Sequence, residues 1–583
     1  MFCAYPTTMA ATATYSGTRH NRPFRSSPPK IIRARISHLR TRVRRPLLFL
    51  AATAARLVEF RVSSFPLLPV PRRPARRPLA MSTTAAPRTV LPPLPPSPTF
   101  EEVYAQLAAD GKSRQVHSTS AAVGLAAVGL PLFAVVLPLT ISYQLYVAAR
   151  QALTGENVVI DLPENDPLVV TDAVPMLSRR YDLVLLGATG YTGQLAVSYL
   201  AKTYGTDGKK VKWAVAGRSR AKLEKVLAEV GGADGVDIIV ADVNDRSSLH
   251  GLVKDARSIA STAGPFAKYG SNVVEFCAQY GTHYADTTGE TGWSRSMILR
   301  WDDAARATGS KIVSFCGHDS VPWDLTVHFL AEELRTAHGD ELVECTCVNE
   351  LVGGISGGTV ATALLGMEAQ KATYAIDPFL KKADGSISAR RTKVSNPALI
   401  SRLSVAERFR GQWQGPFIMA GVNGDVVRRS NAIVEEGSRA ASVTYSEGMA
   451  NVDFATAFVN FFTLVLGLTA LLNPLTKGLV VNKLPKPGEG PSAKAMDRGF
   501  LRISGYGVGS QGNEVESVIY FRSDAGYRDT ARILVESALA LSLDSDILPA
   551  KGGGFFTPAT GMGRVLLDRL KKTGTMFAVR SKQ

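Results

Sequence analysis

Acidic residues are almost missing from the first hundred positions of this chain. Residues 1–100 carry seventeen Lys and Arg against one acid, Glu59, so nearly all of the formal net charge of +17 sits there. The remaining residues are close to neutral overall, which argues against a nucleic-acid-binding core, and no nucleic-acid partner is expected. Cysteine is scarce as well. Cys3, Cys277, Cys316, Cys345 and Cys347 follow no disulfide framework, and Cys345-Thr346-Cys347 is too close for the usual paired zinc ligands. Buried reduced thiols, the close pair lying along a strand, are expected. There is no HExxH, no Ser/His/Asp triad and no Cys/His metal spacing, so a metal-free protein is expected. Charge is also absent from two internal stretches, 118–149 (32 residues) and 454–476 (23 residues).

At 583 residues the chain is long enough for two or three folded units. Residues 1–98, rich in Arg, Pro, Ser, Thr and Ala, are composed like an organelle transit peptide, which points to plastid or mitochondrion. An over-long reading frame with its true start at Met81 is the alternative. Residues 99–150 hold a short helical pattern (FEEVYAQL) and then the first uncharged stretch, long enough for a membrane helix. Pro131 and Pro138 would kink it or turn it into a re-entrant hairpin. Residues 151–180 are a polar connector.

The informative stretch is YDLVLLGATGYTG (181–193). A short apolar strand runs into Gly187, Gly190 and Gly193, and a helical pattern starts at once. Strand, glycine turn and helix make the first half of a dinucleotide-binding unit, with Thr189, Tyr191 and Thr192 completing the turn around the phosphates. The spacing is G-x-x-G-x-x-G, so the flanking elements carry the reading rather than the motif itself. The next strand (212–217) ends without the acid that would hold an NAD ribose. Arg218 and Arg220 stand there instead, suited to a 2′-phosphate, so NADP(H) is the expected cofactor. Further strands come at 237–240 with Asp242 just beyond, at 258–263 with Gly264 and Pro265 in its loop, at 282–285 and at 311–315. This alternation is the doubly wound pattern of a Rossmann-type parallel sheet, expected over 181–335. Residues 336–583 are expected to form a second, α+β domain with a mixed sheet, interrupted by the hydrophobic insertion 454–476.

GATGYTG (187–193), AGRSRAKL (216–223), GPFAKYG (264–270), GTHYADTTGE (281–290) and GHDSVPWDL (317–325), in this order, resemble the saccharopine dehydrogenase-like oxidoreductases. That family includes the trans-acting enoyl reductases of lipid synthesis. SGGT (356–359), DAGYRDTA (524–531) and GGFFTPATGMG (553–563) extend the resemblance to about residue 579. One departure is His318, where relatives tend to carry an aromatic residue. The resemblance implies an NADP(H)-dependent reductase and association with membranes or lipid droplets, and does not reach the basic tail.

A proton donor has to stand on the loops at the carboxyl ends of the strands. Candidates there are Tyr284, Asp286, Glu290, His318, Asp319 and Ser320. Asp319 and Ser320 are the expected pair near the nicotinamide, with Tyr284 or His318 as donor. Local alternatives exist: Asp286 as a helix cap, Glu290 paired with Arg295, Asp319 anchoring a turn. The reading is a membrane-associated reductase of an enoyl or carbonyl group on a lipid-like small molecule, placed at a lipid droplet or endomembrane, with a homodimer left open. Two rivals are a saccharopine dehydrogenase of lysine metabolism and a non-catalytic membrane protein that keeps the fold as a scaffold.

Overall fold

The computed structural model describes residues 91–582 apart from 113–117, 155–169, 171, 232–234, 355–356, 358–373, 375, 383, 435–436, 438 and 487. The basic tail, Met81, most of the connector 151–180, and SGGT other than Gly357 therefore lie outside the described residues. Helix α1 (Phe100–Ala109) opens on a capping box of Thr99 with Glu102 and buries Phe100 and Val103. These two pack against Val518, Tyr520 and Ala578, and Asp110 just beyond accepts from the Tyr520 hydroxyl at 2.8 Å. The α1 helix thus belongs to the folded body. The uncharged stretch forms a separate helix, α2 (Thr119–Thr154).

From Tyr181 the chain alternates strand and helix: β1 (Tyr181–Leu186), α3 (Tyr191–Tyr204), β2 (Trp213–Gly217), α4 (Arg220–Ala228), β3 (Asp237–Val240), α5 (Arg246–Val253), β4 (Ala256–Ser261), α6 (Ser271–Tyr280), β5 (His283–Asp286), α7 (Thr291–Thr308) and β6 (Lys311–Val313). The strands lie in the order 3-2-1-4-5-6, all parallel. Every residue of β1 is buried, because helices cover both faces; the unbroken apolar run in its sequence reflects that two-sided burial. Leu183, Leu185 and Ala260 enter one core layer, while Val184, Leu186, Ile259 and Tyr284 enter the other.

Helix α8 (Val321–Glu333) leads into a mixed sheet built from β7 (Leu342–Val352), β8 (Arg391–Val394), β9 (Ser401–Arg402), β10 (Trp413–Gly415), β11 (Arg439–Asn451), β12 (Phe500–Gly509), β13 (Glu514–Phe521) and β15 (Met576–Ser581). Cys345 and Cys347 share the buried face of β7, and the four described cysteines are free thiols. Helices α9 (Ala420–Ile433), α10 (Phe454–Leu472) and α11 (Pro474–Val481) lie between its strands.

The two sheets do not divide the chain at residue 335. Helix α12 (Thr530–Leu543), buried from Thr530 to Leu541, packs on β1, β4, β5 and α3. Strand β14 (Gly554–Phe556) then adds a seventh parallel strand beside β6. The chain closes with α13 (Gly563–Lys572) and β15. The first domain is therefore discontinuous in sequence. A three-residue strand carries too little pattern to be read ahead of the pairing that defines it.

Candidate active site

Gly187 ends β1 at φ 85°, and a Cβ there would lie 2.8 Å from Thr262 Oγ1 and 2.9 Å from the Ala263 nitrogen. Thr262 is the residue that ties this turn to the loop after β4, donating to the Gly187 carbonyl at 3.0 Å. A Cβ on Gly193 would stand 2.2 Å from the Gly187 oxygen, so helix and turn touch backbone to backbone. Gly190 is different. It caps α3 without any side-chain bond, and a Cβ on it would meet only the Gly187 oxygen at 3.4 Å. Open space thus lies before the free amides of Tyr191, Thr192 and Gly193, the arrangement that receives a phosphate. The Thr189 carbonyl accepts from Gln194 Nε2 at 3.0 Å. The Tyr191 phenol turns away, donating to the Pro491 carbonyl and packing edge-on against Tyr527. Of Tyr191 only the backbone is left facing the turn.

At the end of β2, Ser219 caps α4, with Arg218 before it and Arg220 and Lys222 in its first turn. Cations at a helix N-terminus oppose the helix dipole. Arg220 reaches Glu224 only at 3.9 Å with both side chains more than half exposed, and Arg218 is exposed without an ion pair among the described residues. A phosphate placed here would relieve that repulsion. Asp242 spends one carboxylate oxygen on its own turn, accepting from the Asn244 amide at 3.0 Å.

The switch point of the sheet lies between β1 and β4, where the strand order reverses. Gly264-Pro265, a cis peptide, runs along it. Glu290 holds the next two amides, Phe266 at 2.7 Å and Ala267 at 2.8 Å, and burial raises its pKa. Glu290 is thus not the partner of Arg295, which grips Asp377 at 2.8 Å and Asp425 at 3.0 Å.

Asp286 is wholly buried and accepts from the Thr288 and Phe315 amides at 3.0 and 3.3 Å. Phe315 has φ 65°, a strained conformation for a side chain of this size. Asp286 pins that turn, from which residues 316–320 lead into α8. Burial lifts its carboxyl to about 7. Between the unfolded value of about 3.9 and about 7 the folded chain keeps a proton that the unfolded chain has lost. This contribution to stability therefore declines as pH rises through that window. In urea titrations the stability of Asp286→Asn relative to wild type should increase from pH 5 to pH 8; a pH-independent difference would show that Asp286 is ionised in the folded chain.

Tyr284 departs from expectation. It is fully buried in the apolar layer under β4 and β5, and its hydroxyl finds no hydrogen-bond partner among the described residues. Burial, and then the neighbouring Asp286 carboxyl, hold the phenol well above its ordinary pKa. Alternation on a strand covered on both faces sends it into the core, so it is not placed as a proton donor to the crevice. The loop after β6 stands at the carboxyl end of its strand. His318 Nδ1 lies 3.1 Å from the half-exposed carboxylate of Asp319, and its buried Nε2 has no partner among the described residues. The buried Ser320 hydroxyl donates to Asn423 Oδ1 at 3.3 Å.

That last bond leads into groups the sequence did not reveal. Asn423, on α9, donates through Nδ2 to Glu447 Oε2 at 3.2 Å, and the Tyr445 hydroxyl donates to the same oxygen at 3.0 Å. Trp323 Nε1 donates to Asn349 Oδ1 at 2.9 Å, and the Trp323 ring lies between His318 and Phe417. Tyr445, Glu447 and Met449 share one face of β11 by strand alternation. A polar cluster drawn from α8, α9, β7 and β11 thus adjoins the loop after β6, beside apolar Phe417 and Met449. Among the described residues no group of His, Cys, Asp and Glu could hold a metal ion.

Residues 183–313 match the family model described as the saccharopine dehydrogenase NADP binding domain. A Mycobacterium tuberculosis protein whose name assigns it provisionally as a trans-acting enoyl reductase is 36% identical over 412 residues, covering 68% of this chain and 96% of the relative. The trans-acting enoyl reductase of Mycobacterium bovis is 33% identical over 416 residues, with 68% and 97% covered. Among solved structures, apo saccharopine dehydrogenase (L-Glu forming) from Saccharomyces cerevisiae aligns at 13% identity and a TM-score of 0.39, covering 69% of this chain and 99% of that one. At that score the likeness carries no argument.

Proposed function

The chain belongs to the saccharopine dehydrogenase-like oxidoreductases, the family that includes the trans-acting enoyl reductases, and on that footing we propose that it reduces an enoyl or carbonyl group of a lipid-like substrate at a membrane surface. It is an NADP-dependent oxidoreductase, and NADP(H) is its cofactor. The residues fit that group: the open terminus of α3 for the pyrophosphate, and Arg218 with Arg220 for the 2′-phosphate. When bound, NADPH supplies a hydride. The chain's own part is to hold the reacting carbon beside the crevice and steady the charge that develops.

One observation favours a neutral substrate. None of the hydrogen bonds within the cluster of Ser320, Trp323, Asn349, Asn423, Tyr445 and Glu447 involves a lysine or arginine. Saccharopine is small and dicarboxylic, and a site for it calls for convergent cations. An apolar wall beside neutral donors suits an acyl chain carrying one polar carbonyl. NADPH consumption with a panel of enoyl and keto lipids in detergent tests this. Turnover of saccharopine instead would select the lysine-pathway reading, and cofactor binding without any turnover would select a scaffold.

The membrane part of the proposal draws on two helices far apart in sequence. Helix α10 is long and apolar enough to cross a bilayer, and only 22% of its most apolar window is buried. It is therefore not an ordinary core helix. Its partner α2 bends by 48° between Thr119–Pro131 and Phe133–Tyr143. Phe133 meets Phe462 at 5.4 Å between ring centroids, and Asn473 Nδ2 donates to Thr140 Oγ1 at 3.1 Å. Large apolar side chains stand out from the pair and from α11, among them Val128 (75% exposed), Leu475 (79%) and Leu479 (70%). Such a face is suited to lipid, and we place the protein at a lipid droplet or endomembrane. Burying one leucine is worth about 1.5–3 kcal/mol. Leu475→Lys with Leu479→Lys should therefore cut co-flotation with phosphatidylcholine vesicles more than about tenfold while NADPH binding persists. Unchanged flotation would remove α11 from the membrane face.

A further inference from the structure

The polar cluster beyond Ser320 contains two atoms that the fold buries and leaves unused. Glu447 Oε1 and Asn349 Nδ2 have no hydrogen-bond partner among the described residues, although both side chains are completely buried. Leaving such groups unmade costs on the order of 1–3 kcal/mol each. Every other bond in the cluster fixes their direction. Glu447 Oε2 accepts from both Asn423 and Tyr445, which uses it as the carbonyl oxygen of the carboxyl group. The Glu447 amide is held by Asn396 Oδ1 at 2.9 Å. Asn349 Oδ1 is taken by Trp323, so its amide nitrogen is the end left over, and it lies close enough to act on the Glu447 carboxyl.

We propose that Glu447, as a neutral carboxylic acid, and Asn349 form a donor pair that receives the carbonyl oxygen of an α,β-unsaturated acyl substrate. Glu447 would donate through Oε1–H and Asn349 through Nδ2–H. The proposal rests on the reductase reading and specifies its substrate class: a conjugated carbonyl rather than an isolated alkene. Burial supports the protonation state, lifting the Glu447 carboxyl to about 8. The groups that donate to it are the Asn423 amide and the Tyr445 phenol, neither of them cationic. The titratable groups facing it are the Tyr445 hydroxyl on its own strand and the Cys347 thiol on β7; burial keeps the phenol well above its ordinary value, and the contact with Cys345, then burial, does the same for the thiol. A carboxylic acid kept neutral in an apolar site donates a hydrogen bond where a carboxylate cannot.

The chemistry balances. The β-carbon gains a hydride from the bound reduced cofactor, and the C=C pair moves to join the α-carbon to the carbonyl carbon. The C=O pair settles on oxygen, where the two donors hold it. The α-carbon then takes a proton from water and the carbonyl re-forms. The acyl chain is reduced by two electrons and NADPH becomes NADP+. The donors act most strongly on the charged oxygen, so they favour the transition state over the bound substrate. Nearby Met449, partly buried with the apolar core, is unbranched and can repack to admit a chain.

The test uses the full chain in detergent with a cinnamoyl pantetheine thioester, whose absorption moves to longer wavelength when its carbonyl accepts strong hydrogen bonds. The expected result is a red shift on binding without cofactor, fading as pH passes about 8. In Glu447→Gln the shift should be smaller and flat with pH, and kcat should fall about tenfold or more with KM little changed. A red shift without turnover would keep the donor pair and sink the reductase reading. Turnover without a red shift, or with one that Glu447→Gln leaves intact in size and pH dependence, would overturn the donor pair and leave the reductase reading standing. Neither shift nor turnover would overturn both. Should Glu447→Gln fail to fold, the pH dependence of the wild-type shift decides alone.

Discussion

Arg218→Ala should lower NADPH affinity about 10- to 100-fold and leave NADH affinity where it is. A hydrogen bond to a charged group is worth about 1.5–3 kcal/mol, and the guanidinium presents two donors in a fixed fork to a phosphate. No structural cost offsets the change, because Arg218 is exposed and makes no ion pair among the described residues. Removing it even eases repulsion at the N-terminus of α4. The double change with Arg220→Ala should bring the two cofactors close to parity, since Arg220 is held only by a loose contact with Glu224. Titration of tryptophan-to-nicotinamide energy transfer reads both affinities. A parallel loss for NADPH and NADH would mean that Arg218 supports the pocket rather than the 2′-phosphate. No loss for either would place that phosphate elsewhere.

The largest loss of stability should come from Glu536→Ala, about 3–5 kcal/mol, the range for breaking a buried charged network by removing one partner. Glu536 is fully buried on α12. One of its oxygens accepts from the hydroxyls of Tyr199 and Tyr204, each at 2.6 Å, and the other from Arg569 Nη1 at 3.0 Å. Burial and the nearby carboxylate hold both phenols above their ordinary pKa, with desolvation the larger cause. Burial works against the charge of Arg569, but Glu536 and Asp544 together outweigh it and hold the guanidinium above its ordinary pKa. Alanine would leave two buried hydroxyls and part of a buried guanidinium unsatisfied. Because α12 packs on β1, β4 and β5 while α13 carries Arg569, the loss should loosen the seam between the returning segment and the first sheet. NADPH binding should weaken together with the unfolding midpoint. Glu536→Gln keeps the shape and one acceptor, so it should lose less than half as much. Equal losses for the two variants would assign the effect to packing rather than to the charge.

The residues proposed for the cofactor could be picked out in the chain because their constraints are local. Gly187, Gly190 and Gly193 are set by a turn of seven residues, and Arg218 comes directly after its strand. Their conformations answer to neighbours in sequence. The doubly wound pattern was legible too, since parallel strands buried on both faces are apolar throughout and alternate with helices. The expected donor Tyr284 shows where this stops. Its position on a strand was legible, but which face of β5 meets the core depends on the neighbouring strands and on α6 and α7 above them. Likewise the return of β14 to the first sheet could not be read from three residues.

Consecutive residues were enough to point to a dinucleotide turn, a cation pair suited to a 2′-phosphate and two uncharged segments. What faces the crevice was settled by long-range packing. Asn349, Asn423 and Glu447 come from β7, α9 and β11, and the parallel register that sets Glu447 beside Cys347 and Met449 beside Asn349 brings them together. In the chain each is one polar residue among many. Burial alone makes a carboxyl neutral and an unpaired amide costly, and burial is a property of the assembled fold.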